Sequence, residues 1–322
     1  MDVQEACAGS RWLVSLNWWL RGRRPTRLQE FSERVVQACR GTRTDWLLST
    51  GLAPVDAPAL TAIGRLGVRR LNYLTDDPWN PAHRAPWFLE ALPQYDGVFS
   101  PRRSNLEDLR RLGCASAVHL PFAYSPSLHF PEPPITPEEQ GRFETDVVFA
   151  GGADRDRVPY IAALIRAGFR VGLYGGYWER WRQTRKHTRR LADPRMVRKA
   201  VGGARIALCL VRRANRDGHS MRTFEIPAIG GCMLTEDTAE HREIFGEEGR
   251  AVVYFRSVDE MVQKARWLLE RDEERRRLAA AAHALVVNGR NTYQDRLETM
   301  LELARPRMAS VAAASLGRAP GP

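Results

Sequence analysis

The chain has 322 residues, 43% of them hydrophobic and 27% charged, an ordinary soluble balance with core enough for two domains. No apolar run approaches the ~20 residues needed to span a bilayer, and the opening MDVQEACAGSRW lacks the basic-then-apolar layout of a secretory signal, so a cytoplasmic protein is expected. The net charge of +11 would suit nucleic acid or an anionic membrane, yet only three of 49 basic residues are lysines (Lys186, Lys199 and Lys264), and no RNA-recognition, zinc-finger or helix-turn-helix signature accompanies them. Cys7, Cys39, Cys114, Cys209 and Cys232 are odd in number and scattered without metal spacing, which favours free thiols.

In chain order, Leu13–Leu16 reads as a short strand. Further strands are predicted at Trp46–Ser49, Arg70–Leu74, Gly97–Ser100 and Ala117–Pro121, separated by helical patterns over Ala57–Leu66, His83–Leu92 and Ser104–Leu112. Pro126, Pro131, Pro133, Pro134 and Pro137 mark residues 126–145 as a linker. The alternation restarts with strands at Asp146–Ala150, Val171–Tyr174, Arg205–Val211, Cys232–Thr235 and Ala251–Phe255, and closes with helices over Ser257–Leu269, Glu273–Val287 and Tyr293–Leu303. The Ala-, Gly- and Pro-rich end, 305–322, is expected to be a mobile tail. This is an α/β pattern of two Rossmann-like parallel-sheet domains, 1–125 and 146–304, with a site in the cleft between them.

The densest chemistry lies in DGHSMRTFEIPAIGGCMLTEDTAEH, from Asp217 to His241. Ser220 is a candidate N-cap for a helix that Gly230 and Gly231 terminate. The N–H groups of its first turn, with Arg222 beside them, would suit a diphosphate. Glu225 lies far enough into the helix to accept two ribose hydroxyls; otherwise it is a surface helix acid. Two strand-to-glycine turns, VVFAGGADRDR and LYGGYWERW, offer backbone N–H groups at Gly151, Gly152 and Gly175. Each would equally serve as a plain turn. Tyr177 or Trp178 offers a stacking surface, although core packing suits Trp178 better.

In the first half, NYLTDDPWNPAH places Asp76 and Asp77 just after a strand. A carboxylate there would act as a general base, or the pair would cap the next helix. His83 and the loop from Ser100 to Asn105 are weaker cleft candidates. Glu236, Asp237 and Glu240 form an acidic turn without an Asp-x-Asp motif, and no metal is expected. The basic run Arg180–Lys199 would attract a diphosphate, an acidic acceptor or phospholipid headgroups, or form a solvated helical face.

The run RTFEIPAIGGCMLTEDTAEH resembles the donor-binding segment of the CgeB-like glycosyltransferases, relatives of the retaining GT-B transferases whose pattern is Glu, seven residues, Glu, then Ala-x-Gly. Glu225 matches the second acid, and the first falls on Asp217, one methylene shorter. Arg157 resembles the basic residue that the group carries on its first glycine turn. The resemblance covers the second half well and the first half more loosely, since residues 1–45 show no glycine-rich opening turn. It implies a GT-B fold with a first domain expected to be reduced. It also implies transfer of a sugar from a nucleotide-activated donor, with retention, to an unidentified acceptor and with no cofactor beyond the donor. Glu225 would hold the ribose, Arg157 and Arg222 the diphosphate, and Asp217 and His219 the transferred sugar. The rival readings are a non-catalytic GT-B binding protein, and a basic protein of nucleic acid or membrane surfaces.

Overall fold

The computed structural model describes residues 2–8, 20–190 and 193–304. Leu13–Leu16 and the tail 305–322 therefore lie outside the described residues. Four parallel strands, β1 (Trp46–Thr50), β2 (Arg69–Tyr73), β3 (Gly97–Ser100) and β4 (Ala117–His119), form the first sheet in that order. Because successive strands step in one direction, right-handed crossovers put the connecting helices on one face. These are α2 (Ala57–Arg65), α3 (Pro86–Ala91) and α4 (Ser104–Arg111), joined there by α1 (Leu28–Gly41). Leu28, Leu60, Ile63, Phe88 and Leu109 fill that core.

The second sheet comprises β5 (Thr145–Ala150), β6 (Val171–Tyr174), β7 (Thr188–Arg190), β8 (Ala204–Cys209), β9 (Met233–Glu236) and β10 (Val253–Phe255). Its order is β10-β9-β8-β5-β6-β7, all parallel. The winding reverses between β5 and β8, so helices cover both faces. On one side lie α5 (Pro137–Phe143), α7 (Pro194–Gly203), α8 (Arg222–Ile229) and α9 (Ala239–Phe245). On the other lie α6 (Val158–Arg166) and α10 (Val258–Leu269), and α11 (Asp272–Val287) contributes to both cores. The last helix, α12 (Tyr293–Ala304), returns to the first sheet: Met300, Leu301 and Ala304 pack on Leu71, Tyr73, Phe99 and Leu120. No described helix is long and apolar enough to cross a membrane.

Three expectations change. The proline-rich stretch is not a bare connector: it contains α5 and is pinned to α7, where Arg198 and Lys199 meet Glu132 and Lys199 also binds Glu139. The basic run is not one helical face. It folds as two 3-10 turns, the strand β7 and then α7, because Pro194 after the capping Asp193 starts a new helix. Ser220 does not cap α8, which begins two residues later. Its hydroxyl faces the Cys209 thiol at 3.6 Å, while its N–H donates to Thr223 Oγ1 at 3.1 Å.

Candidate functional site

A doubly wound parallel sheet opens a crevice beyond its carboxyl ends where the winding reverses. Here that point lies between β5 and β8, and a cavity occupies it. Its floor is Ala150-Gly151, Leu210 and the start of α8; its roof comes from the first domain as Thr75, Asp76, Arg102 and Phe122. The first sheet has no reversal among the described residues, so it supplies a wall rather than a crevice of its own.

The two glycine turns are clasped together. Gly151 N–H donates to Tyr174 O at 2.7 Å and Ala153 N–H to Gly176 O at 2.9 Å. Gly175 sits at φ +147, where an added Cβ would stand 2.2 Å from Gly151 O, so only glycine allows this approach. Trp178 is fully buried and donates its indole N–H to Gly151 O at 2.7 Å, which makes it scaffold. Tyr177 is 54% exposed in a left-handed conformation, with the Arg180 guanidinium 4.3 Å from its ring centre.

Arg157 straddles the reversal. Its Nη1 donates to Gly152 O at 3.3 Å and its Nη2 to Leu210 O at 3.2 Å, tying the end of β5 to the end of β8. Burial pushes the pKa of its guanidinium down, against the pull of Asp154. Arg222 lines the cavity, donates from Nε to Ala150 O at 2.9 Å, and pairs with Glu225 one turn further along α8. Glu225 is buried behind it, outside the cavity lining, with His129 Nε2 3.5 Å away on its other side.

His129 is held neutral. Burial first, then the charges of Arg222 and Arg198, lowers its pKa from 6.5 to about 4. Between those values the unfolded chain binds the extra proton. This contribution to stability is therefore complete above pH 6.5 and is lost as pH falls towards 4. The melting temperature should drop across that window, and the drop should be shallower in His129→Gln; parallel curves for the two proteins would refute the assignment.

The two neighbouring aspartates part company. Asp77 is 1% exposed and fully engaged: it accepts from Arg216 Nε at 2.6 Å and Nη2 at 3.0 Å, from Asn105 Nδ2 at 2.9 Å and from Trp79 N–H at 3.0 Å. Asp76 lines the cavity, half-buried, and accepts from Asn215 Nδ2 at 3.1 Å. Asp217 also lines it, but its Oδ1 pairs with Arg102 and its Oδ2 accepts Arg212 N–H at 3.2 Å. Burial raises the pKa of its carboxyl, opposed by Arg102.

His219 is buried away from the cavity. Its Nε2 accepts Phe122 N–H at 3.1 Å across the domain junction, so Nδ1 carries the proton and donates to Glu240. Burial, opposed by Glu240, depresses its pKa and keeps it neutral. His241 is likewise internal, bonded to Glu236 O at 2.8 Å and Thr223 Oγ1 at 3.0 Å. The acidic turn is dispersed: Glu236 accepts Val211 N–H, Asp237 pairs with Arg242 and Arg256, and Glu240 meets His219.

The structure thus gathers Asp76, Gly151, Arg157, Asp217, Ser220 and Arg222 around one cavity. Gly152, Gly175 and Glu225 support it from behind, and Asp77 and His219 join the domains. Sequence reasoning missed Arg212, Asn215, Arg216 and His129, none of which lies in a repeating pattern. Arg102 lay in a loop picked out only as a weak cleft candidate.

Residues 157–302 match a family model described as glycosyl transferase-like. No curated protein matches the chain in sequence. Among solved structures, it is similar to a sucrose-phosphate synthase from Thermosynechococcus elongatus at 12% identity and TM-score 0.61, covering 86% of this chain and 77% of that one. It is similar also to the Anabaena protein HepE in complex with UDP and glucose, at 12% identity and TM-score 0.60, covering 85% and 81%. A UDP-forming trehalose-phosphate synthase from Burkholderia xenovorans superposes at 14% identity and TM-score 0.57, covering 87% and 78%. The chain has the GT-B fold, and the match to the glycosyl transferase-like model lies within its second domain.

Proposed function

We propose that this protein is a CgeB-like glycosyltransferase that moves a sugar from a nucleotide-activated donor to an acceptor hydroxyl with retention of configuration. The observation that carries the reading is the crevice between β5 and β8, where Arg157 and Arg222 flank clasped glycine turns and Glu225 stands one helical turn deeper. A diphosphate set against the two guanidiniums and the N–H groups opening α8 would leave its ribose towards Glu225, once Arg222 turns from the carboxylate to the phosphate. HepE, solved with UDP and glucose, supports a nucleotide-sugar donor. Tyr177 is the exposed aromatic available to the base.

In the proposed reaction the bond from the anomeric carbon to the phosphate oxygen breaks and the bond to the acceptor oxygen forms. The acceptor proton passes to the departing diphosphate. Arg157 and Arg222 stabilise the charge growing there without a metal. Asp76, the first-domain carboxylate in the cavity wall, steadies positive charge on the sugar. A cytoplasmic setting goes with this reading, since all five cysteines are free and four are buried. Exposed Arg182, Arg185, Lys186 and Arg189 offer a secondary contact for an anionic membrane surface.

The test is a thermal-shift screen with UDP, GDP, ADP and CDP on wild type and Glu225→Ala. A ligand of the native state raises the melting temperature by mass action. One nucleotide should give a shift of several degrees that the variant loses; no shift with any of them at millimolar concentration would sink the nucleotide site.

A further inference from the structure

The chain crosses between the domains near Phe122 and again near Asn291, and the two crossings are bound to each other. Tyr124 N–H donates to Asn291 O at 3.1 Å, and Tyr293 N–H donates to Tyr124 O at 3.1 Å. Arg296 on α12 donates to Pro121 O at 2.9 Å and to Phe122 O at 3.1 Å. This pinned pair is a hinge: it fixes where the domains meet and leaves the cleft beyond it to other contacts.

Those contacts are concentrated in one short loop, 212–217, between β8 and α8. Arg216 reaches into the first domain, giving Nε and Nη2 to buried Asp77 at 2.6 and 3.0 Å and Nη1 to Asp108 of α4 at 2.7 Å. Ser104, at the start of α4, donates to Arg216 O at 3.2 Å. Asn215 accepts from Asn80 at 2.6 Å and donates to Asp76 at 3.1 Å, and Asp217 pairs with Arg102. These contacts are polar or charged, the make-up of a domain surface that parts and rejoins. Arg216 also lies at φ 53 and ψ 36, a left-handed backbone that a residue with a side chain adopts only where its surroundings impose it.

The cleft in this arrangement is small for the proposed donor. The cavity has a volume of about 170 Å³, whereas clefts that enclose a drug-sized ligand run from about 300 to 1,000 Å³. Glu225 and Gly175 both stand outside its lining. Four residues that do line it, Asp76, Arg102, Asn215 and Asp217, are partners in the contacts of the loop. Parting the loop from the first domain therefore enlarges the cavity and frees those side chains in one step.

We infer that loop 212–217 is a latch: it holds the cleft shut, and it must leave Asp77 and Asp108 before a nucleotide enters. The identity of the ligand rests on the glycosyltransferase reading; the latch does not. With latched and released forms in equilibrium, entry at high nucleotide concentration is limited by release rather than by encounter.

Small-angle X-ray scattering without nucleotide and stopped-flow binding of UDP and GDP, on wild type, Arg216→Met and Asp108→Ala, test the latch. Wild type should scatter with the radius of gyration of the closed arrangement, and Arg216→Met with a larger one. The wild-type association rate should level off as nucleotide concentration rises. Arg216→Met should lift that plateau about 10- to 100-fold, the range of one charge-assisted hydrogen bond. Asp108→Ala removes one of the three Arg216 bonds and leaves the pair with Asp77 in place, so it should lift the plateau about threefold. It serves as the test should Arg216→Met fail to fold. Unchanged scattering and an unchanged plateau in both variants overturn the latch, as does a wild-type rate that stays proportional to nucleotide concentration. If neither nucleotide binds, the donor site falls and the scattering alone decides the latch.

Discussion

Replacing Asp77 with alanine is expected to cost about 3 kcal/mol of stability, whereas the same change at the adjacent Asp76 should cost less than about 1 kcal/mol and fall instead on activity. Asp77 is buried beneath four hydrogen bonds, two of them from an arginine of the other domain. Its removal leaves the buried Asn105 amide short of an acceptor and loosens Arg216. Breaking a buried ion pair costs about 3–5 kcal/mol when both charges are dry. Here the arginine end is 41% exposed and keeps Asp108 at 2.7 Å, which sets the expectation at the low end. Arg216 itself occupies a left-handed conformation at φ 53, held where its fork meets both acids. Asp76 has one hydrogen bond and an open side towards the cavity. Its loss should slow sugar transfer about 100-fold with little change in the urea midpoint. Urea melts and turnover of the two variants together decide the matter: an Asp76→Ala protein that is as unstable as Asp77→Ala, or fully active, would overturn the division of labour.

That division marks the limit of what the sequence could disclose. Short apolar runs alternating with helical patterns located the strands from β1 to β6 within one or two residues. Strand order was not legible. Nothing local says that β5 lies beside β8, and that adjacency creates the crevice. Residues tied to backbone geometry were the most visible: Gly175 has no alternative residue at its φ, and Arg157 lies five residues past Gly152, where the next helix opens. Residues defined by contact across domains were not. His219 reads identically in sequence whether it faces a ligand or donates to Glu240, and only the placement of Phe122 decides between them. Arg102 and Asp217 lie 115 positions apart, so their ion pair has no local signature. Helix starts also misled, because Thr223 takes the Ser220 N–H and moves the first turn of α8 along the chain.

Arg157→Met is expected to lower turnover about 100- to 1,000-fold, or about 3–4 kcal/mol of transition-state stabilisation, and Arg212→Met about tenfold or less. Both arginines line the same cavity, so proximity alone would rank them together. Their surroundings do not. Arg212 is one-third exposed, lies 4.0 Å from Asp76 and 3.8 Å from Asp154, and exchanges its hydration for a ligand at little gain. Arg157 is buried, its Nη atoms rest on neutral carbonyls of Gly152 and Leu210, and its Nε has no hydrogen-bond partner, with Asp154 Oδ2 3.7 Å away. Burial has already weakened its hold on the proton. Such a buried cation, faced by one partly exposed carboxylate, gains most where negative charge develops, on the leaving diphosphate. The loss should therefore appear in kcat and kcat/KM equally, the signature of an interaction made chiefly in the transition state. A rise in KM at unchanged kcat would reduce Arg157 to a binding residue. Arg157→Lys separates charge from geometry: one ammonium cannot reach both strand ends and the phosphate, so it should recover only a minor part of the lost rate while melting close to wild type.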